Sequence, residues 1–413
     1  MEDKAENVNG KAENDWDPRS EETLGDQIAA YDAMRKRCPV AHSDYMHWSL
    51  FRHEDVVRAL NDHETFSSVV SSHISVPNGM DPPEHTAYRR ILEPYFNEAR
   101  MTAFEPVCRD IAISLVEQLP SMGETELMNS LAQDFALQIQ SDYLGWPSSM
   151  HEPLRQWTRK NREATLARDR AEMAAVALEF DVYIKDLLDA RRAAGLGGCH
   201  DMTAGLLRER IGGRLLNDEE ITSIMRNWTV GELNTISASV GILAHYLAAH
   251  PELQRQLREQ PSLLPAAIDE ILRIQAPLIN SRRITTCPVN VGGRTLPAGE
   301  HVYLMTASAN RDEAVFGDPD EFRLDRDPSL NLLYGAGIHI CPGAPLARLE
   351  LRIIMEELLQ RCSRIALVPG KEPENAVYPG SGYSKLPLWI EHKQADERAA
   401  PPTYQTQTST SPA

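Results

Sequence analysis

Apolar residues along this chain recur mainly at helical spacing, and strand-like alternation is confined to short stretches. Leu24 to Arg37 reads as an amphipathic helix, Met46 to Phe51 as a strand and His53 to Leu60 as a short helix. Ser67 to Met80 has only scattered apolar residues and reads as a loop, closed by Asp81-Pro82-Pro83. The two prolines start the next helix, because proline presets φ and its missing N–H is not needed in a first turn. Ile111 to Tyr143 and His151 to Arg192 are predicted helical, with breaks at Pro147 and Arg168-Asp169-Arg170. Gly195 to His200 is a loop. Asn217 caps the longest helix, whose acidic first turn Asp218-Glu219-Glu220 suits the helix dipole. It runs to His250-Pro251, roughly 50 Å at the α-helical rise, with Gly231 near its centre. Pro265 to Ile274 is a further helix, and a last apolar one ends near Arg361. Chain from Leu278 to Arg283 enters β structure, and Val289 to Met305 reads as hairpin strands around Gly292-Gly293 and Pro297-Ala298-Gly299.

The pattern gives a mainly α fold with a smaller β portion. With 413 residues and 42% hydrophobic content, the chain can bury a large core. Residues 1–20 and 394–413 are polar and predicted disordered, which leaves 21–393 as the folded domain. A net charge of −18 sets the chain against nucleic acid as a general partner. No run of about 20 apolar residues is present, so no membrane span is expected. The N-terminus has no apolar run like a signal peptide. Six cysteines lie scattered without paired spacing, which points to reduced thiols and a cytoplasmic setting.

The strongest chemical signal is Tyr334 to Arg348, YGAGIHICPGAPLAR. Gly335, Gly337 and Gly343 let the backbone turn tightly and come close to a flat ligand. Pro345 falls in the first turn of a helix, so Cys341 lies near a helix N-terminus that favours its thiolate. Such a thiolate is a good iron ligand. Zinc is poorly supported, since no Cys-x-x-Cys or His-x-x-x-His partner lies nearby. A buried small cysteine or a plain reactive thiol is the bland alternative. A haem-free Cys-His hydrolase is a third, although His339 and Cys341 are local neighbours and such pairs come from distant segments. Elsewhere, His85 and Arg89 share one helix face, which alone reads as an exposed basic face. Glu270 and Arg273 alone make a routine i,i+3 pair.

At Tyr334 to Gly343 the sequence resembles the cytochrome P-450 family of haem-thiolate monooxygenases, soluble bacterial type. That family's signature is an aromatic residue, then Gly-x-Gly-x-(His/Arg)-x-Cys-x-Gly, with Tyr334 here in the place of the usual Phe. The resemblance covers about Glu21 to His392 and implies the cytochrome P-450 fold. Haem b would lie between the long distal helix and the Cys341 loop with its proximal helix. It implies that Cys341 ligates the iron, with Tyr334, Gly335 and Gly343 shaping the loop. His85 and Arg89 match the family's His-x-x-x-Arg, and with Arg283 and His339 they would share the haem propionates. Glu270, Arg273 and Arg326 match the family's supporting Glu-x-x-Arg and later arginine.

On the long helix the family carries (Ala/Gly)-Gly-x-(Asp/Glu)-Thr, and this chain has Gly231-Glu232-Leu233-Asn234-Thr235. Thr235 matches the family threonine, and Asn234 departs from the acid that relays protons. Glu232 is three residues before Thr235 on the same groove, and is either a substitute proton source or a structural hydrogen-bonding group. The loop at Ser67 to Met80 would cover the distal side, and its shortness implies an open pocket. Val70, Ile74, Leu233, Leu278 and Ile279 would border a mostly apolar small substrate. Dioxygen would be the second substrate. Electrons would come from NAD(P)H through a reductase and a ferredoxin or flavodoxin docking near Arg100, Arg109 and Arg352. The rival within the same fold is a haem-thiolate ligand-binding or sensor protein without turnover, against which Thr235 argues.

Overall fold

The computed structural model describes residues 14–167, 169–195 and 201–394. Helices dominate, as the spacing of apolar positions predicts. Asn217 accepts from the Glu220 N–H while the Glu220 side chain accepts from the Asn217 N–H, a complete capping box for Asp218–Ala249. This 32-residue helix spans about 48 Å. It packs against Gln133–Leu144, Leu264–Ile274 and Ala344–Arg361, and together these enclose the main apolar core.

The β portion sits to one side. Its five-stranded sheet runs Val40–Ser43, His47–Leu50, His301–Leu304, Ser281–Thr285, Phe66–Ser67. All its pairings are antiparallel except that of His301–Leu304 with His47–Leu50, which is parallel. Two smaller clusters, one around Leu50, Val302 and Leu304 and one around Tyr31, Phe51 and Met305, fill this side.

Several expectations need correction. The predicted helix over Leu24 to Arg37 is two, Glu21–Gly25 and Gln27–Arg37, because Asp26 leaves helical geometry and caps the second through Ala29 N–H. The predicted helix from Ile111 to Tyr143 is interrupted by a strand, Met122–Glu126, that pairs with Pro387–His392. Gly123 there has φ +155°, which a helix does not allow. Of the predicted N-terminal tail, residues 14–20 are ordered: Trp16 is buried with its ring edge-on to Tyr31 and Phe51, and Asp15 pairs with Arg294. Residues 1–13 and 395–413, most of the loop after Gly195, and Arg168 lie outside the described residues.

Glu270, Arg273 and Arg326 do meet. Arg273 grips Glu270 bidentately at 2.8 and 2.9 Å, and Arg326 Nε reaches the same carboxylate at 2.9 Å. The remaining guanidinium donors take the carbonyls of Asn310, Phe316, Asp318, Pro319 and Glu321, so the trio pins the irregular chain that leads to the cysteine loop. Glu270→Ala would leave Arg273, only 1% exposed, without a counter-charge. We expect a loss of about 3–5 kcal/mol, read as a lower denaturant midpoint. A loss below about 1 kcal/mol, the scale of an exposed pair, would show that the trio contributes no more than surface charge.

Candidate active site

The cysteine loop is shaped by two left-handed glycines, Gly335 at φ +72° and Gly337 at φ +67°. At Gly337 a Cβ would strike the Leu60 carbonyl oxygen, so only glycine lets this loop lie against the helix His53–Asn61. The Cys341 N–H donates to the Tyr334 carbonyl at 2.9 Å and closes the loop just before the helix Ala344–Arg361. At Gly343, φ is ordinary, and its role is space: a Cβ there would sit 3.8 Å from Cys341 Sγ and from Phe96. The Tyr334 ring carries Arg348 on its face at 4.5 Å, with its hydroxyl buried and unpartnered.

Cys341 keeps exposed surface although protein crowds its sulfur on the other sides. Burial is the larger influence and pushes its thiol up, while the Gly343 and Ala344 amides, Arg89 and Arg348 pull it down. The helix terminus therefore contributes as predicted, without by itself making a thiolate. A coordinated metal deprotonates such a thiol outright.

Imidazole and guanidinium groups gather beside it. The His85 and His339 rings lie 4.3 Å apart, each with a buried Nε2 that has no partner. Arg283 is buried, and its guanidinium donates to the Arg282 carbonyl at 2.8 Å. Arg89 donates to the Ile340 carbonyl at 2.9 Å and pairs with Glu93. His339 is pushed down to about 3, by burial first and then by His85 and Arg283, and His85 is lowered by burial and by Arg89. Asp81 acts on His85, His339 and Arg283, yet both Nε2 atoms stay without a partner, and such a group of side chains fits an anionic ligand. An exposed thiol, a glycine-smoothed wall and this cluster together fit haem, with two carboxylates on the cluster and iron at the sulfur.

The long helix supplies another wall. It is buried along most of its length, yet Gly231 and Asn234 are exposed at its centre, and a Cβ on Gly231 would meet nothing within 4 Å. That face is left open by the surrounding chain. The Thr235 hydroxyl donates to the Gly231 carbonyl at 2.5 Å, as its position in a helix predicts. Glu232 is half-buried, with Oε1 enclosed and unpartnered. The turn at Gly380 to Tyr383 closes against the same helix: Gly382 lies where a Cβ would touch Ile242 at 3.0 Å, and the Tyr383 hydroxyl bonds His245 at 2.8 Å.

Not every predicted lining residue is exposed toward that open side. Leu233 is buried with Ile236 and Val240 in the helical core, since its side of the helix faces inward. Ile279 is buried in the cluster with Trp16, Tyr31 and Met305. Leu278 is 50% exposed, and Val70 and Ile74 are half-buried. Arg109 and Arg352 are not free surface cations: both bind Glu105 and Glu356, and Arg109 also binds Glu357, clamping the helices Glu98–Glu117 and Ala344–Arg361 together. Arg100 covers the Tyr95 ring at 4.5 Å. Sequence reasoning missed Glu350, a fully buried acid on the helix after Cys341. Its place among Leu346, Leu349, Ile353 and Ile354 was the available signal.

Comparison with known proteins agrees with this geometry. A family model described as cytochrome P450 matches residues 150–388. The chain is 30% identical to the putative cytochrome P450 YjiB of Bacillus subtilis, over 85% of this chain and 91% of that protein. It is 32% identical to the erythromycin C-12 hydroxylase of Saccharopolyspora erythraea, over 83% and 90% respectively. A solved structure of cytochrome P450 CYP109Q5 from Chondromyces apiculatus superposes with TM-score 0.81 at 27% identity, covering 91% of this chain and 98% of that one. A mutant of P450 EryK in complex with erythromycin B gives 0.80 at 29%, covering 89% and 97%. Among the described residues no helix is long and apolar enough to cross a membrane.

The cation cluster generates a direct test. Arg283→Ala should weaken haem retention roughly tenfold to hundredfold, the range for losing one charged hydrogen bond of about 1.5–3 kcal/mol. Haem content of the purified variant and its unfolding midpoint are the measurements. If both match the parent protein, Arg283 does not hold a propionate.

Proposed function

Because the chain belongs to the cytochrome P450 family of monooxygenases, we propose that it inserts one atom of dioxygen into a small, mostly apolar organic substrate on haem b ligated by Cys341. The observation that carries this reading is the exposed Cys341 beside His85, His339 and Arg283, whose two imidazole Nε2 atoms are buried without partners. Haem there supplies the reductive splitting of dioxygen, which an electron-rich thiolate ligand favours.

This chain's own side chains do the rest. His85, Arg89, Arg283 and His339 orient the prosthetic group through its propionates, and Tyr334, Gly335 and Gly343 keep the sulfur accessible. Thr235, beside the exposed Gly231 and Asn234, donates its hydroxyl proton to the Gly231 carbonyl and offers its oxygen as an acceptor to water in the groove. Asn234 carries no titratable proton, so Glu232 is the acid nearest in sequence to that groove. Val70, Ile74 and Leu278 remain as borders of the substrate space. Electrons come from NAD(P)H through a reductase and a ferredoxin or flavodoxin, in the cytoplasm. That partner meets a proximal face where Arg109 and Arg352 are already paired, so Arg100 is the freer contact.

Replacing Cys341 by His should abolish the strongly red-shifted Soret band of the reduced carbon monoxide complex. Its survival in that variant would remove Cys341 as the ligand. Thr235→Ala should uncouple turnover: NAD(P)H consumption continues, hydrogen peroxide release rises and product falls. Unchanged product per NAD(P)H would exclude this threonine from proton handling.

A further inference from the structure

The least expected feature of the core is a pair of carboxyl groups with nothing to neutralise them. Glu350, on the helix that follows Cys341, is 0% exposed, and neither of its oxygens has a hydrogen-bond partner. Glu232, on the long helix, turns its unpartnered Oε1 into the same interior. Their helices pack against each other, and burial together with the other carboxyl pushes Glu350 well above the ordinary carboxylate range. Burial raises Glu232 likewise.

The surroundings offer no relief. Tyr143 from Gln133–Leu144 feels both carboxyls, while Cys108 from Glu98–Glu117 and Tyr334 from the cysteine loop feel Glu350. All three are neutral in their ordinary state. The nearby arginines are engaged elsewhere: Arg100 on Tyr95, Arg109 and Arg352 with Glu105 and Glu356, Arg348 with Asp269. From Leu264–Ile274, Glu270 is satisfied by Arg273 and Arg326. Two bare carboxylates in such a place would repel each other and lose their hydration, so at least one proton stays on the pair.

We propose that Glu232 and Glu350 form a single proton-sharing dyad, in which Glu232 is the donor to the groove at Thr235 and Glu350 is a positioning residue that keeps Glu232 protonated. The proposal rests on the monooxygenase reading and names the acid that replaces the one absent at Asn234. Glu232 stands between the two: its Oε1 is enclosed and unpartnered, the residue is half-buried, and its helix neighbours Gly231 and Asn234 are exposed. In each cycle its O–H bond breaks, the proton passes to water at Thr235, and the resulting carboxylate takes a proton back from water. No oxidant or reductant is consumed in that exchange.

The dyad also leaves a mark on stability. A folded state that holds a proton the unfolded chain has released loses stability as pH rises from the ordinary carboxylate range through the raised one. Infrared spectra of the purified protein in light and heavy water should show a protonated-carboxyl C=O band near neutral pH. Glu232→Gln and Glu350→Gln should each remove or shift it, and each should flatten the fall of stability with pH. In reconstituted turnover, Glu350→Gln should move the alkaline limb of product formation down by roughly one pH unit, the coupling expected of an interacting pair. Glu232→Gln should abolish that limb and enlarge the solvent isotope effect. A merely structural Glu350 would lower stability equally at all pH and leave the limb in place, which would overturn the proposal. So would a spectrum without any band sensitive to either substitution. If Glu350→Gln fails to fold, the band and the pH slope in Glu232→Gln still decide. The infrared and stability readings need no turnover, whereas the carbon monoxide spectrum of Cys341→His tests the haem-thiolate reading separately.

Discussion

Arg283 lies buried with its guanidinium bonded to a neighbouring carbonyl, and the two histidines beside it present ring nitrogens to nothing. Keeping such groups together and dry costs free energy, which Asp81 offsets in part and a bound anion would offset further. Much of the architecture serves to hold this unfavourable cluster at a fixed offset from one sulfur. His85 and Arg89 come from the helix Glu84–Leu92, Arg283 from Ser281–Thr285, and His339 and Cys341 from the glycine loop. Three segments far apart in sequence must therefore be rigid with respect to one another. Gly337 against the Leu60 carbonyl and the Cys341 bond to Tyr334 fix the loop, and Arg89 ties its own helix to the loop through Ile340.

Behind that site, buried charge is handled in two opposite ways. Arg273 and Arg326 share Glu270, and Arg109, Arg352 and Arg361 share Glu105, Glu356 and Glu357, so most buried acids have their cations. Those networks lock helices and the irregular chain before the cysteine loop, and losing one partner would strand the other. Glu232 and Glu350 are held differently, without any cation, and neutrality there depends on a proton. The same interior that stabilises a bidentate arginine pair makes an unpaired carboxylate costly, and that cost is what turns an acid into a proton holder.

What the sequence makes legible follows the range of the interactions concerned. Asn217 with Glu220, Pro345 in its first turn, and the glycines around Cys341 act within a few residues, and each stands where local chemistry predicts. Met122–Glu126 is not legible locally, because its residues are mostly polar and its strand exists only through Pro387–His392, far along the chain. Trp16 was read as tail because its neighbours are charged, and a single aromatic side chain suffices to anchor them. Leu233 and Ile279 look like pocket residues by motif position alone, and which way a side chain faces depends on helix rotation and sheet packing. Glu350 stands among apolar helix neighbours, which marks it as buried, but its pairing with Glu232 is a contact no local pattern shows.

The long helix shows why one acid in it matters more than its many hydroxyls. Thr235 returns its hydrogen bond to Gly231, Ser237 to Leu233 and Ser239 to Thr235, so these polar side chains are satisfied by their own helix. Such bonds are neutral, short in reach and insensitive to pH. A carboxyl cannot be absorbed in that way, because when ionised it only accepts and every helix carbonyl nearby is also an acceptor. Glu232 must therefore either keep its proton or find a donor outside the helix, and among the described residues no such donor is seen. The groove beside Thr235 is thus lined by hydroxyls that already donate to their own helix and by one group that can change its charge. That division of labour survives the replacement of the customary acid by Asn234, provided the proton sits one residue before Leu233 instead of one residue after it.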